Sequence, residues 1–479
     1  MLIDKTEPGT RFTHRQTLGL IVLSAALFMG GMDSTLLNVA LPELSRVLSA
    51  NPAETVWIVN SYTLTVAATI VTLTDVGSRF GQKRTFLVGL AGFAVASLAA
   101  AFGRSPVEII ILRCVQGVFA AALMATAVPL LSAIFAGSAR RRLAISIWTA
   151  SASLGAALGP VIGGILLEQF WWGANFLVNV PIAVAAAVVG WIYLADTPRV
   201  ARQVDLPSLT CSILGIGGIA YALQSLTEPD LRNAFGIAAI PVSVLAVVIF
   251  IRRQLTSRMP ILQLRLFRNS IFTTATVAIM LSWGLYAAAI FSITQYQQLG
   301  LERTPLIAGL LIVPLAIANT LGAVTTSRLL AKFRPTTALA TSLVIGAIGF
   351  LLLAGLGLNT GLWAIAVVGI STGIATASGT TLMVESVGVT AQSDAGAIQE
   401  TAFSLGSGFG VATIGMSISL ISNQISNRYE TTVVRELATR YSYLLPAIAL
   451  LAISFAVQMS ARGHQPVVDA HKQDEEIEI

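Results

Sequence analysis

The run Gly155-Ala-Ala-Leu-Gly159-Pro160-Val-Ile-Gly163-Gly164 lies in the middle of a long apolar segment. Gly155 and Gly159 are four apart, so on a helix they share one face and admit a neighbouring backbone closely. Pro160 removes one backbone donor and bends that surface, and Gly163 and Gly164 carry the side-chain-free face on for another turn. Two readings fit such a helix. It is an ordinary membrane-helix packing surface, where glycine and proline are frequent, or it is a seam along which two helical bodies move.

Composition sets the medium. Of the 479 residues 55% are hydrophobic and 11% are charged, with a mean hydropathy of +0.79. A soluble domain carries about 25% charged residues, so the sequence reads as an all-α integral membrane protein. The charged start (Asp4, Lys5, Glu7, Arg11, Arg15) leads into a run too long for a signal peptide and without a small-residue cleavage site. Cys114 and Cys211 both fall in apolar runs, which implies no disulfide framework. The histidines His14, His464 and His471 sit in the tails, against any buried metal site. The net charge of +6 is spread singly between apolar segments, so it speaks of membrane topology and not of nucleic acid.

Apolar runs of about 20 residues, the length that crosses a bilayer, are expected at 16–41, 55–75, 84–103, 107–129, 143–167, 175–195, 206–226, 233–251, 271–296, 305–327, 336–357, 361–383, 398–422 and 441–461. The segment at 206–226 is the weakest, with its glycines and polar ends. Basic residues concentrate on the cytoplasmic side of membrane proteins. With fourteen spans and both termini inside, only Arg46, Arg104, Arg232, Arg303, Arg428, Arg435 and Arg440 face outward. Every other basic residue of the 29 falls inside, except Arg113 within a span. An internal echo supports the count. Leu154-Gly155-Ala-Ala-Leu-Gly159 and Leu405-Gly406-Ser-Gly-Phe-Gly410 each fall in the fifth helix of a six-helix set, if spans 7 and 8 are an inserted pair. The loop after the second helix is basic in both sets, Ser78 to Arg84 and Ser327 to Arg334. Repeats around a central site are how many secondary transporters are built. The expected division is therefore 1–200 for a first six-helix bundle, 201–255 for two inserted spans, 256–462 for a second bundle and 463–479 for a cytoplasmic tail. The inner loop at 252–270, with Ile261, Leu262, Leu264, Leu266 and Phe267 among arginines, has the pattern of an amphipathic surface segment. The longest outer loop is expected at 423–440, and the acidic tail Asp474 to Glu478 reads as a solvated end.

An ionisable residue inside a span costs several kcal/mol and marks function by default. Asp33 stands out first, within Met32-Asp33-Ser-Thr-Leu-Leu-Asn38-Val-Ala-Leu-Pro42, past the midplane toward the outside. It is a proton site, a counter-charge for a cation, or a carboxylate held in a packed network. Arg113, one turn from Gln116 and Gly117, is its natural partner. It stays protonated, so it biases an acid and carries no proton itself. Glu400 ranks next, beside Gln399 near the start of its span, then Asp75 and Glu385 at inner span ends. Asn38, Gln116, Trp57, Tyr62, Trp148, Trp283, Tyr286, Gln295, Tyr296 and the methionines 29, 32 and 124 supply amide, aromatic and thioether groups for an adaptable cavity. Trp171-Trp172 suits an interfacial belt. No phosphate-binding Gly-x-x-x-x-Gly-Lys-Ser/Thr occurs, which argues against ATP-driven work, and no nucleophile or metal-ligand cluster argues for an enzyme.

With these residues in place the chain resembles the major facilitator superfamily, and within it the 14-helix drug:proton antiporters. Asp33 through Pro42 is similar to the first-helix motif of that group. Arg79-Phe-Gly81-Gln-Lys83-Arg84 resembles its gating loop between helices 2 and 3, and Arg113, Gln116 and Gly117 its fourth-helix motif. Gly155, Gly159, Pro160, Gly163 and Gly164 resemble its antiporter motif. Glu168-Gln-Phe-Trp-Trp172-Gly and Phe176-Leu-Val-Asn179-Val-Pro181 resemble the stretch that follows. Ala395-Gly-Ala-Ile-Gln399-Glu400 looks like helix 13 of quaternary-ammonium and dye exporters. Three positions depart from the family pattern. Gln399 stands where an acid is expected, Ser78 replaces the loop acid with Asp75 one turn earlier, and Thr74 replaces the opening glycine.

The resemblance implies a major facilitator fold of two six-helix bundles plus two inserted helices, both termini inside. It implies drug:proton antiport by alternating access, with Asp33 and Arg113 coupling protons and Glu400, Gln399 and Asp33 attracting lipophilic, chiefly cationic substrates. Expected partners are that substrate, protons and the lipid bilayer. No cofactor, metal or nucleic acid is expected, and the protein is expected as a monomer in a bacterial inner membrane. Export of an endogenous metabolite, lipid or peptide is the alternative on the same fold, and a non-transporting membrane sensor the remote one. On this view the glycine run is the bent seam between bundles, and Leu405 to Gly410 supplies its partner helix in the opposite bundle.

Overall fold

The computed structural model describes residues 12–135, 138–195, 205–225, 234–257, 263–357, 362–387, 392–425 and 431–463. Asp4, Lys5, Glu7 and Arg11, the residues Arg199, Arg202, Arg232, Arg258, Ile261, Leu262 and Arg428, and His464, His471 and Asp474 to Glu478 lie outside them. The described residues form helices, α1 (His14–Val47), α2 (Pro52–Phe80), α3 (Gln82–Ala101), α4 (Pro106–Ile134), α5 (Ser138–Gln169), α6 (Ala174–Leu177), α7 (Asn179–Tyr193), α8 (Leu206–Ser225), α9 (Ala234–Thr256), α10 (Ser270–Gln295), α11 (Pro305–Leu330), α12 (Pro335–Leu356), α13 (Leu362–Glu385), α14 (Gln392–Ile425), α15 (Thr431–Ser442) and α16 (Leu444–Gly463).

Local chemistry starts and stops these helices. α2 opens on a reciprocal capping box, Asn51 with Glu54, and carries Pro52 in its first turn. Ser105 before Pro106 and Thr304 before Pro305 cap α4 and α11 with a side-chain oxygen that accepts from the N3 backbone N–H. Gly81 separates α2 from α3 at φ +103°, a left-handed conformation that glycine adopts without a Cβ penalty. At other ends a basic side chain from a neighbouring helix satisfies the last carbonyls. Arg15 and Lys83 donate to Tyr193 and Trp191 at the end of α7 (3.2 and 2.7 Å), and Arg440 to Ala354 at the end of α12 (2.9 Å).

Eleven of the helical stretches are long and apolar enough to cross a membrane, or twelve when the bent pair Pro52–Ile70 and Thr72–Phe80 counts as one span. Shorter apolar stretches at Leu154–Gln169 and Leu206–Ile219 lie in α5 and α8, the second being the run that looks weakest in the sequence. Outward-facing apolar side chains are spread over many helices, among them Val95, Trp191, Val324, Ile448 and Phe455, each at least 65% exposed. So much bare apolar surface requires an apolar surrounding.

Packing divides the helices into two groups. α1 lies against α5 and α7, and α4 against α2 and α3; beyond the α8–α9 hairpin, α10 lies against α14, and α13 against α11 and α12. One apolar cluster sits within the first group around Leu23, Phe86, Phe93 and Leu130. The second runs through Phe272, Ile279, Leu343 and Phe350 and reaches into the first group at Leu41, Ile58 and Phe176. α8 and α9 pair with each other and are tied by Arg253 to Asp205 at 2.8 Å. α8 also lies against α2 and α14, one from each group.

Three sequence expectations change. The region 423–440 is not all loop, because Thr431–Ser442 forms the amphipathic helix α15. Trp172 is 7% exposed and packs edge-on against Phe176, so Trp171 alone suits a belt. The glycine run also has a different partner. Gly155 and Gly159 face α1, where an added Cβ at Gly159 would stand 2.8 Å from the Met32 carbonyl, and one at Gly31 of α1 would stand closer still to the Ala152 carbonyl of α5. The face turned to the other group is one residue further round. Gly164 meets Leu306 of α11 with 2.5 Å left for a Cβ, and Gly309 of α11 meets Pro160. Gly406 and Gly410 close instead on Gly284 of α10, while Gly408 meets Leu64 of α2. The two fifth helices of the repeat therefore do not touch each other in pairs. Each packs on the first helix of its own group and on the second helix of the other.

Candidate functional site

Asp33 lies midway along α1 and is 2% exposed. A charge this deep requires partners from several helices, because an unpaired buried carboxylate costs several kcal/mol. Arg113 of α4 approaches Asp33 Oδ2 with Nη1 at 2.5 Å, and Asn179, the first residue of α7, donates Nδ2 to Oδ1 at 2.8 Å. Arg113 is itself 1% exposed. Its Nε donates to the Ile58 carbonyl at 3.3 Å, its Nη1 also to Gln116 Oε1 at 3.3 Å, and its guanidinium lies over the Tyr62 ring, 4.4 Å from the centroid. Gln116 in turn donates to Ser97 at 2.8 Å. Helices α2, α4 and α7 thus converge on Asp33 or on the arginine that holds it, and α3 supports Gln116 behind them.

This arrangement joins Asp33 to Arg113, as the sequence implies, and gives Gln116 a different place. Gln116 is fully buried and braces Arg113 inside the bundle. Asn38 is also buried and donates back to Ser34. Trp148 is buried within the first group, among Met29, Tyr62 and Met124. The residue the sequence reading passes over as a site is Asn179, present only within a quoted motif. A buried amide opening an apolar helix was the available signal.

In the second group Glu400 lies on α14, half-buried beside half-buried Gln399. One turn on, the Phe403 ring is 5.1 Å from Trp283 of α10, and Trp283 stacks on Tyr286 at 5.3 Å. A carboxylate one turn from an aromatic cluster can attract a cation and receive it on ring faces. Asp33 and Glu400 stand in different groups. Gln295 is half-buried at the end of α10, beside a π-helical turn at Tyr296–Gly300. Glu385 is exposed at the end of α13.

In the turn between α2 and α3, Asp75 is buried on α2, and Arg79 and Arg84 are exposed, with the Arg79 guanidinium over the Phe80 ring. Lys83 serves the end of α7 as described. Ser78, standing at the departed position, accepts from Gln82 Nε2 at 3.5 Å. Among the described residues no group of His, Cys, Asp and Glu is placed to hold a metal ion, and Cys114 and Cys211 are free.

Known proteins match this arrangement along most of the chain. A family model described as the Major Facilitator Superfamily matches residues 23–411. The chain is 34% identical to the multidrug efflux pump LfrA of Mycolicibacterium smegmatis, over 86% of this chain and 83% of that one. It is 29% identical to the methyl viologen resistance protein SmvA of Salmonella typhimurium, over 85% and 83%. Among solved structures, an inward-facing, unoccupied bacterial homologue of the human lysosomal transporter Spinster superposes with a TM-score of 0.68 at 12% identity, covering 96% of this chain and all of that one.

Proposed function

This chain belongs to the Major Facilitator Superfamily, and from that premise we propose that it is a proton-coupled exporter of lipophilic cations. The resistance and efflux proteins it resembles support a drug-exporting role. On this reading it has fourteen spans with both termini in the cytoplasm, α1–α7 (1–200) and α10–α16 (256–462) as the two bundles, the pair α8–α9 (201–255) inserted between them, and a cytoplasmic tail (463–479). It works as a monomer in the bacterial inner membrane.

The observation that carries the reading is the sealed Asp33–Arg113 pair. Both Asp33 oxygens are engaged and the group is 2% exposed inside the first bundle, which supports a proton as what it takes up. We therefore assign Asp33 to the proton alone and cation attraction to Glu400, with Gln399, Trp283, Tyr286 and Phe403 around it. Protonating Asp33 leaves Arg113 without its counter-charge. Because an uncompensated buried charge costs several kcal/mol, the bundle shifts until Arg113 finds other acceptors, and that shift is the coupling. The turn with Asp75, Arg79, Gly81, Lys83 and Arg84 gates the cytoplasmic end, and Asn38, Trp148, Tyr286 and Gln295 border the route.

Purified protein in liposomes tests this with ethidium and methyl viologen as substrates. The wild type should move both against an imposed pH gradient. Asp33→Asn should lose gradient-driven flux yet keep dye-for-dye exchange, and Glu400→Gln should depress cation flux more than flux of a neutral lipophile. Gradient-driven flux undiminished in Asp33→Asn would remove the proton assignment.

A further inference from the structure

Arg113 and Asn179 hold the same carboxylate but are chemically unequal. A guanidinium has only donors, so Arg113 can serve Asp33 in the ionised state and has nothing to offer the proton of a carboxylic acid. An amide has both. In this structure Asn179 uses its Nδ2 as donor to Asp33 Oδ1 at 2.8 Å. Its Oδ1 is buried without a hydrogen-bond partner, in a residue with no exposed surface. An unsatisfied buried acceptor is costly, about 1–3 kcal/mol, and natural structures rarely keep one without a use. Here the idle acceptor is on the group already in contact with the oxygen that would take a proton.

We propose that Asn179 is the positioning residue that serves Asp33 in both protonation states, donating to the carboxylate and, after a half-turn of its amide, accepting from the carboxylic acid. The proton enters on Asp33 Oδ1. The Asn179 amide rotates about its last side-chain bond and presents Oδ1, and the new Asp33 O–H donates to it. On deprotonation the amide turns back. No covalent bond is made or broken besides the O–H of Asp33. Because Asn179 opens α7, the same half-turn alters how α7 is tied to α1. The inference rests on Asp33 being the proton site.

Among the described residues, the side chains bonded to Asp33 are Arg113 and Asn179. The charged and titratable side chains on the helices packed against α1 are Glu54, Tyr62, Asp75 and Arg79 on α2, Glu108, Arg113 and Cys114 on α4, and Arg140, Arg141, Arg142 and Glu168 on α5. α7 adds Tyr193 at its far end, α10 Tyr286 and α11 Arg328. Of these, Arg113 bonds Asp33 and Tyr62 lies beneath Arg113.

Infrared difference spectra of the purified protein across a pH step provide the test, with a readout independent of transport. A protonated-carboxyl C=O band that vanishes in Asp33→Asn identifies the group. In Asn179→Leu that band should move to higher wavenumber, since the acid has lost its acceptor. In Asn179→Ser, whose hydroxyl both donates and accepts, it should stay near its wild-type position. In liposomes Asn179→Leu should lose at least tenfold of gradient-driven dye flux with an altered pH profile while keeping dye-for-dye exchange, and Asn179→Ser should recover most of the loss. An unmoved band in Asn179→Leu overturns the proposal, as does equal loss of exchange and gradient-driven flux, which marks a merely structural residue. Absence of any Asp33-dependent band in the wild type overturns the proton assignment itself, and the proposal with it.

Discussion

Arg113 is placed so that almost any replacement leaves something unmatched. It holds Asp33, accepts support from Gln116 and Tyr62, and occupies the Ile58 carbonyl. Removing one partner of a buried pair costs about 3–5 kcal/mol, whereas exchanging both for apolar side chains is often neutral. Arg113→Met should therefore lower the thermal unfolding midpoint sharply, and Asp33→Leu/Arg113→Met should recover more than half of that loss. Recovery stays incomplete because the amides of Asn179 and Gln116 lose partners as well. A double variant no more stable than Arg113→Met, measured by thermal unfolding in detergent, would mean the pair is not the dominant local term.

At the scale of single helices, the glycine faces carry the clearest contrast. Gly159 leaves too little room for a Cβ against Thr35 and Met32 of its own bundle, while Gly164 is tight against Leu306 across the seam. Gly159→Leu should consequently fail to fold, seen as loss of a monodisperse peak in size-exclusion chromatography. Gly164→Ala should fold and bind dye but turn over at least tenfold more slowly, because the seam can no longer close. A folded, inactive Gly159→Leu would return the seam to that face. The sequence shows the small-residue face and the bend, since both are properties of one helix. It does not show which neighbour lies on each side, since faces about 100° apart carry glycines alike. The same limit explains the site. Asp33 and Arg113 are legible because a charge in an apolar run demands a partner, whereas Asn179 is neutral and passes as a helix-start amide. α15 is hidden because its charges, Arg435, Glu436 and Arg440, look like loop residues until Arg440 is seen capping α12.

For the molecule as a whole, the two bundles meet at the end that carries the α10–α11 connection. Gly164 and Pro160 press on Leu306 and Gly309 there, Gly415 meets Val56, and Gln298 donates Nε2 to the Val39 carbonyl at 2.8 Å across the seam. At the other end of α14, Gly396 has no neighbour within 4 Å of an added Cβ. The seam is closed at one end, so the alternating access proposed above requires these contacts to break. Most are apolar and shape-dependent, but the Gln298 bond is a polar latch that a substitution can remove. One such hydrogen bond is worth about 0.5–1.5 kcal/mol, which changes a two-state ratio about 2- to 13-fold. Gln298→Ala should therefore raise the population open at this end by that factor. Spin labels at Phe102 and Leu356, both exposed at helix ends on this side, would report it as a larger long-distance fraction in pulsed electron resonance. An unchanged distance distribution would show that the Gln298 bond does not hold this end shut, and Gly164→Ala would then be the variant that opens it.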